Sequence, residues 1–423
     1  MIAGGGNGEG GDGEMSGDEG VMHEQGFAAP LRGVRVIDLG QYIAGPGAAM
    51  ALAELGAEVT KIEPIAGEQA RHIGRYGQSM IRAYNRGKRS IALDLRSPRG
   101  REVAMRLVAG SDVVIQNLRP GAVRRLGLDA AAVRERFPRV IYLSISGFGS
   151  RGPSRDRPGY DIAAQAESGL MSVTGEPDGP PQKVGVPIVD AAAAQLGAQA
   201  VLAALFARER SGVGEVIEIS LLEVAMHLQA PTWCDYLGGA PEPTRIGGGQ
   251  PHNAPAAEVV RTRDGYIVLS AYAEDHWARF CRLMGRESLL TDPRFCTNAR
   301  RVENRTELRA VLEECLSGSS SAQCVELLGR NQIVAGAVLR YGEVARSADI
   351  QASGILVEAA GPDGGSYLAV GPPYRFASGP FATPGAAPAG GAHSDALLAQ
   401  AGYTPGEIAE LRRAGVLPTN RSR

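Results

Sequence analysis

The chain has 423 residues, enough for two or three domains, and its 44% apolar content is that of a globular protein with a sizeable core. Its formal charge of −2 is uneven: residues 1–30 carry six acids and no Lys or Arg, leaving +4 on the remainder. Five scattered cysteines without a CxxC, and six dispersed histidines without an HExxH, exclude a disulfide framework and argue against a metal site. Reduced thiols and a cytoplasmic location are therefore expected, with no nucleic-acid or membrane partner.

Residues 1–30 are Gly-rich, acidic and aperiodic, which reads as a disordered tail. They lack a basic start followed by an apolar stretch, so no signal peptide is expected. Order begins with a compact apolar strand over Val34–Leu39, a helix over Ala48–Leu55 ended by Gly56, and a strand over Val59–Glu63. The rhythm recurs with strand Ser90–Leu95, helix Pro98–Ala109, and strands Asp112–Ile115 and Arg139–Ile145. Strands alternating with helices predict an α/β fold whose parallel sheet is covered on both faces.

The most apolar segment, 191–207, is Ala-rich and interrupted by Gln195 and Gln199, and at 17 residues it suits a buried helix better than a membrane span. The helix should run to about Arg210, followed by the strand "GEVIEIS" and a further helix. Residues 229–256 are Gly/Pro-rich and read as a linker or mobile loop. A smaller unit over 257–340 holds one strand, Tyr266–Ser270, and several helical segments. From Tyr341 the chain has Gly/Pro-rich turns and ends in a helix over Pro405–Ala414.

In a doubly wound sheet, ligands bind beyond the carboxyl ends of the strands. That singles out the loops "GQYIAGPG" (40–47), "NLRPGAVRRLG" (117–127), "SGFGSRGP" (146–153) and the turn before Asp190. The first resembles a phosphate-binding glycine turn but does not fit G-x-G-x-x-G in register, and it reads as a tight turn of small residues. The second places Arg119, Arg124 and Arg125 at a strand end, where guanidinium groups suit phosphate esters or simply form a solvated face. Asp190 has two readings. It is a preferred helix N-cap residue, and it is equally an ionised carboxylate at a helix N-terminus, able to attack an acyl carbonyl.

Five ordered stretches then resemble one family. They are "GVRVIDLGQYIAGPGAAMALAELGAEVTKIE", "NRGKRSIALDLRSPRG", "SDVVIQNLRPGAVRRLGLD", "SISGFGSRGPSRDRPGYDIAAQAESGLMSVTGEPDGPPQKVGVPIVD" and "LLTDPRFCTNARRVENR". From about Leu31 to Leu417 the chain resembles the family III CoA-transferases, the CaiB/BaiF family. The resemblance implies a large Rossmann-like CoA-binding domain with a parallel sheet, formed by residues 31–228 and 341–423. It also implies a linker and glycine loop over 229–256, a smaller α+β domain inserted at 257–340, and an interlocked homodimer.

The family nucleophile is an Asp about thirty residues beyond "GYD", which from Asp161 lands on Asp190, held by capping its helix. CoA contacts carry over to Ile43, Ala44, Leu93, Arg96, Asn117, Leu118 and Arg125. Tyr160 faces the substrate, and Gly247, Gly248 and Gly249 match the loop that folds over the acyl intermediates. Pro64 replaces a phosphate-binding Arg of some members, and Ala256 replaces an aromatic residue, which implies a roomier acyl pocket.

The expected activity is transfer of CoA from an acyl-CoA to a free carboxylic acid through an aspartyl anhydride and an aspartyl–CoA thioester. Backbone N–H groups at the helix start would stabilise the oxyanions, and no cofactor is bound permanently, since the CoA thioester is a substrate. Racemase members of the family have a His before the Asp of "GYD", with partners matching Asp190 and Glu274. Here that position is Tyr160, a poor base near neutral pH. A non-catalytic CoA-binding protein is the alternative outside enzymes, and an NAD-dependent oxidoreductase a more remote one.

Overall fold

The computed structural model describes residues 29–250, 256–271, 273–361, 365–377, 379 and 385–419. Nearly all of the acidic tail, residues 1–28, lies outside them. The large sheet is formed by β1 (Arg35–Asp38), β2 (Glu58–Glu63), β3 (Arg89–Ala92), β4 (Val113–Gln116), β5 (Ile141–Ser146) and β6 (Val216–Ser220). All its pairings are parallel, in the order β3-β2-β1-β4-β5-β6. Central strand β4 is buried along its length, as its continuous Val-Val-Ile run requires with helices on both faces. Strand order reverses between β1 and β4, so the loops leaving their carboxyl ends diverge and open a crevice.

One face of the sheet is covered by α1 (Ala44–Glu54), α7 (Ile188–Ser211) and α8 (Leu221–His227). The intervening helices are α2 (Gly74–Tyr84), α3 (Pro98–Ala109), α4 (Pro120–Arg125), α5 (Ala130–Arg136) and α6 (Asp161–Glu167). The alanines of α1 and α7 are their mutual interface. A Cβ on Gly47 would lie 2.8 Å from the Ala194 methyl, and one on Gly197 3.0 Å from Leu143. Only small side chains let the two helices approach so closely. Although α7 is 24 residues long, with a mean hydropathy of 1.5 over its most apolar stretch, it lies in the core through Val189, Ala193, Ala198 and Val201. Gly212, at φ 69°, ends it in the left-handed region.

The opposite face is covered by α3, α4 and two C-terminal helices, Ser394–Gln400 and Pro405–Arg413, whose Leu397, Leu398 and Leu411 are buried. The returning chain is tied to edge strand β3. Ser90 N–H donates to His393 Nδ1 at 3.1 Å, and Arg71 donates to the Pro388 carbonyl at 3.0 Å. A separate antiparallel sheet, β7 (Ala257–Arg261), β8 (Tyr266–Ser270) and β9 (Val334–Ala337), packs with helices Glu274–Leu283, Arg305–Leu316 and Ser321–Arg330 around Trp277, Phe280 and Phe295.

Three local expectations change. Helix α1 starts at Ala44 rather than Ala48, because Pro46 falls in the first turn, where its missing N–H leaves no bond unmade. Residues 230–237, expected within a linker, are helical, with Pro231 in the first turn. Ala256, expected beside an acyl pocket, is fully buried in the core of the smaller sheet.

Beneath the carboxyl ends of β1–β3 lies a fully buried ionic cluster. Lys88 Nζ contacts Asp38 at 2.7 Å and donates to the Pro46 carbonyl at 2.7 Å; Lys61 Nζ donates to the Gly40 carbonyl at 2.7 Å and lies 3.4 Å from Glu68. Burial lowers the Lys88 pKa to about 8 against the attraction of Asp38, so it remains charged at neutral pH. Burial would raise Asp38, but the Lys61 and Lys88 charges outweigh it and hold that carboxyl below its ordinary value. Asp38→Ala strands the buried Lys88 ammonium group, while Lys61 keeps Glu68, and should lower the unfolding free energy by roughly 3–5 kcal/mol. Asp38→Asn, which keeps an acceptor for the Gly40 N–H, should lose less. Denaturant titration checks this, and a loss below about 1 kcal/mol for the Ala variant contradicts it.

Candidate active site

The crevice between β1 and β4 opens into a cleft of about 280 Å³. Gln41, Tyr42 and Ala44 come from the loop after β1, and Asn117, Leu118 and Arg119 from the loop after β4. Ser146 and Gly147 follow β5, Arg155, Arg157 and Tyr160 precede α6, and Asp190 stands in the first turn of α7. The three loops singled out by position thus meet there, together with the turn that leads into Asp190.

The β1 loop is rigidly held. Asn117 Oδ1 accepts from Gln41 N–H at 2.8 Å, and its Nδ2 donates to the Gln41 carbonyl at 2.9 Å, so one amide closes the two switch-point loops on each other. Tyr42 has φ 63°, a left-handed conformation that a bulky residue rarely adopts. Its N–H donates to Glu68 at 3.0 Å, its hydroxyl to Gln69, and its ring meets Tyr160 edge-on at 5.9 Å. These contacts hold two aromatic rings at the wall of the cleft.

Asp190 does not cap its helix. It is the third residue of α7, after Pro187, whose side chain carries no acceptor. The acceptor comes instead from α6: buried Asp161 Oδ2 accepts from Val189 N–H at 2.8 Å and Asp190 N–H at 3.1 Å. Gln165 holds Asp161 from the other side and accepts from Val184 N–H at 2.9 Å. The Val189 and Asp190 N–H groups are therefore committed, and the expected oxyanion donors at the helix start are already engaged. Among the described residues, the Asp190 carboxylate is partly buried, has no hydrogen-bond partner, and is the only acid lining the cleft. Burial, then the Asp161 charge, push its pKa up to about 7, so it is not the fully ionised group expected at a helix start.

The remaining candidates divide. Ala44, Asn117, Leu118 and Tyr160 line the cleft with Asp190. Ile43 and Leu93 are buried in the fold, and Arg96 and Arg125 are exposed outside the cleft lining. Gly247, Gly248 and Gly249 lie elsewhere too. Gly247 N–H donates to the Gly175 carbonyl at 3.0 Å, Gly248 accepts from Val259 N–H at 3.2 Å, and Gly249 packs on the Arg305–Glu258 pair. Glu274, the second racemase position, is bound to Arg301 at 2.9 Å and accepts from Asn298 N–H at 3.0 Å.

Residue-by-residue reading passed over Gln41, Tyr42, Arg155, Arg157 and the Asp161 cap. The "RDRPGYD" run carried a signal for two of them, as alternate cations just before a motif. Arg157 forms a bidentate pair with Glu167, at 2.8 and 3.1 Å, over the Phe148 ring. Arg155 pairs with Asp156 at 3.5 Å.

The model of "CoA-transferase family III" matches residues 31–394. The chain is 35% identical over 382 residues to a succinate–glutarate CoA-transferase of Agrobacterium fabrum, covering 88% of this chain and 95% of that protein. It is 32% identical over 403 residues to a succinyl-CoA–D-citramalate CoA-transferase of Chloroflexus aurantiacus, covering 94% of this chain and all of that protein. The crystal structure of a CaiB/BaiF family protein from Brucella suis superposes with a TM-score of 0.79 at 33% identity, covering 88% of this chain and all of that one. The six-stranded parallel sheet, the switch-point cleft and these full-length likenesses agree: the chain belongs to CoA-transferase family III and is a CoA-transferase.

Proposed function

We propose that Asp190 is the covalent nucleophile of CoA transfer between an acyl-CoA and a free carboxylic acid. The observation that carries this is the unpartnered Asp190 carboxylate, the only acid among the described residues that line the switch-point cleft. In its ionised form Asp190 Oδ attacks the donor thioester carbon; a C–O bond forms, the C–S bond breaks, and CoA leaves as the thiolate. The thiolate then attacks the Asp190 carbonyl of the mixed anhydride, giving an Asp190–CoA thioester and releasing the donor acid. The acceptor carboxylate attacks that thioester, thiolate leaves again, and its attack on the acceptor acyl carbon yields the new acyl-CoA and frees Asp190. A covalent carrier divides one difficult exchange into steps of similar energy.

Basic groups lie in and beside the cleft. Arg119, exposed at the start of α4, lines it and would bind CoA's anionic groups; Arg125, exposed on the last turn of that helix, lies outside the lining and would add a second guanidinium only beyond its edge. The racemase reading gains no support, since no histidine is among the described residues lining the cleft and Glu274 is engaged by Arg301.

A homodimer completes this reading. Leu237 and Tyr341, 77% and 88% exposed, and Val334, Leu368 and Val370 leave apolar surface that a second copy would cover. Sedimentation at low micromolar concentration should show a dimer, and a stable monomer contradicts it.

Both Asp190→Asn and Asp190→Ala should abolish transfer, because neither side chain forms an anhydride. Hydroxylamine added during turnover of the wild type should convert Asp190 to a hydroxamate, visible as a mass change on its peptide. Near-normal turnover by the Asn variant, with deamidation excluded by mass, overturns the assignment.

The raised pKa adds a stability signature. Between the unfolded value of 3.8 and about 7 the folded state holds the extra proton, so stability falls as pH rises through that window. Asn imitates the protonated carboxyl without titrating. Asp190→Asn should therefore be more stable than wild type by roughly 2–4 kcal/mol above pH 7, with the difference vanishing near pH 4. Thermal unfolding across pH checks this, and a constant difference contradicts it.

A further inference from the structure

Asp161 is a buried carboxylate that the transfer steps above do not use. Its Oδ2 takes the N–H groups of Val189 and Asp190, and its Oδ1 is held by Gln165, so both oxygens have fixed partners. A helix N-terminus ordinarily favours a nearby negative charge. Here that favour is taken by Asp161, one helix away in the chain, rather than by the carboxylate on the helix itself.

We propose that Asp161 is a positioning residue for the reaction: it occupies the free N–H groups of α7 and sets a fixed negative charge beside Asp190, so that every acylation of Asp190 relieves a like-charge repulsion. The proposal rests on Asp190 being the nucleophile. When Asp190 attacks a thioester its negative charge passes to the departing sulfur, and Asp190 is neutral in both the anhydride and the CoA thioester. Repulsion from Asp161 therefore raises the free enzyme without raising the covalent intermediates, which favours acylation. The same repulsion makes Asp190 more basic, and a more basic carboxylate is a better nucleophile toward a thioester. The elevated pKa of Asp190, to which Asp161 contributes after burial, agrees with this geometry.

The other charged groups around Asp190 do not replace this role. From α2, Tyr84 is a neutral phenol pushed further from ionisation by burial, by Tyr76 and by Asp190 itself. Across the cleft, Arg155 and Arg157 are paired with Asp156 and Glu167, and Arg119 is exposed. The charge on α1, Glu54, is paired with Arg86, and Glu218 on β6 is bonded to Ser150. Tyr142 on β5 donates to the Leu128 carbonyl, and neither Glu223 nor His227 of α8 lines the cleft.

The test is a double-mutant cycle in the full-length chain. The wild type is compared with Asp190→Asn, and the comparison is repeated with Asp161→Asn present in both. An amide at position 161 keeps an acceptor for the two N–H groups and removes the charge, so the cap survives. Tm is measured from pH 4 to pH 8. With Asp161 present, the Tm gap caused by Asp190→Asn should widen from near pH 4 and level off only near neutral pH; in the Asp161→Asn background it should level off lower by about one unit or more, at a smaller gap. Hydroxylamine trapping on the wild type runs alongside. A gap that levels off at the same pH and the same size in both backgrounds overturns the proposal while leaving a hydroxamate at Asp190 to support the nucleophile. Absence of the hydroxamate overturns the nucleophile assignment, and the proposal with it. Asp161→Ser, a neutral cap of different shape, repeats the cycle if the Asp161→Asn variant does not fold. If neither variant folds, a gap between wild type and Asp190→Asn that does not open between pH 4 and pH 8 overturns the proposal.

Discussion

Lys61 and Lys88 end in full burial around one carboxylate, Asp38, and the geometry of the cleft descends from that arrangement. Two ammonium groups cannot remain charged away from water without an anion and several acceptors close by. Asp38 supplies the anion, and the carbonyls of Gly40 and Pro46 supply acceptors. Those carbonyls belong to the loop that leaves β1, so the cluster that neutralises the lysines also fixes that loop's path. Glu68 extends the cluster to Tyr42 N–H, which helps hold a tyrosine in a left-handed backbone conformation at the cleft wall.

From that loop the constraint passes to α1 and α7. Their alanine faces approach closely enough that Gly47 could not carry a side chain without displacing Ala194. Close packing places the first turn of α7 beside the switch point, and Asp161 then ends the helix by capping it from α6. Asp190 is left with a partly buried, unpartnered carboxylate next to another acid. Such a group weakens the fold at neutral pH. The two carboxylates are thus separated by one property: Asp161 has the helix N–H groups and Asp190 does not.

The smaller antiparallel sheet stands outside this chain of constraint, with its own core around Trp277, Phe280 and Phe295. The glycine segment 247–249 is bonded to Gly175 and to β7, not to the Asp190 cleft. Glu274 is likewise held by Arg301 within the smaller unit. Family motifs located these residues in the chain, but their partners set where they sit.

What the sequence by itself determined is what depends on neighbouring residues and periodicity. The parallel strands were legible because a strand buried on both faces is a short apolar run, as in Val113–Gln116 and Ile141–Ser146. Helix α3 was legible because Pro98 opens it, and α7 because Ala-rich sequence continues without a proline to about Arg210. The loops of the site were legible because a doubly wound sheet puts its crevice at strand ends. Only the tertiary structure decided which acid caps α7, since Asp161 and Asp190 are 29 positions apart and both are acceptable caps by type. It also decided the protonation of Asp190, because desolvation and a like charge come from packing rather than from adjacent residues. The pairing of Asn117 with Gln41, and of Lys88 with Asp38, spans 76 and 50 positions, distances over which side-chain chemistry leaves no local trace.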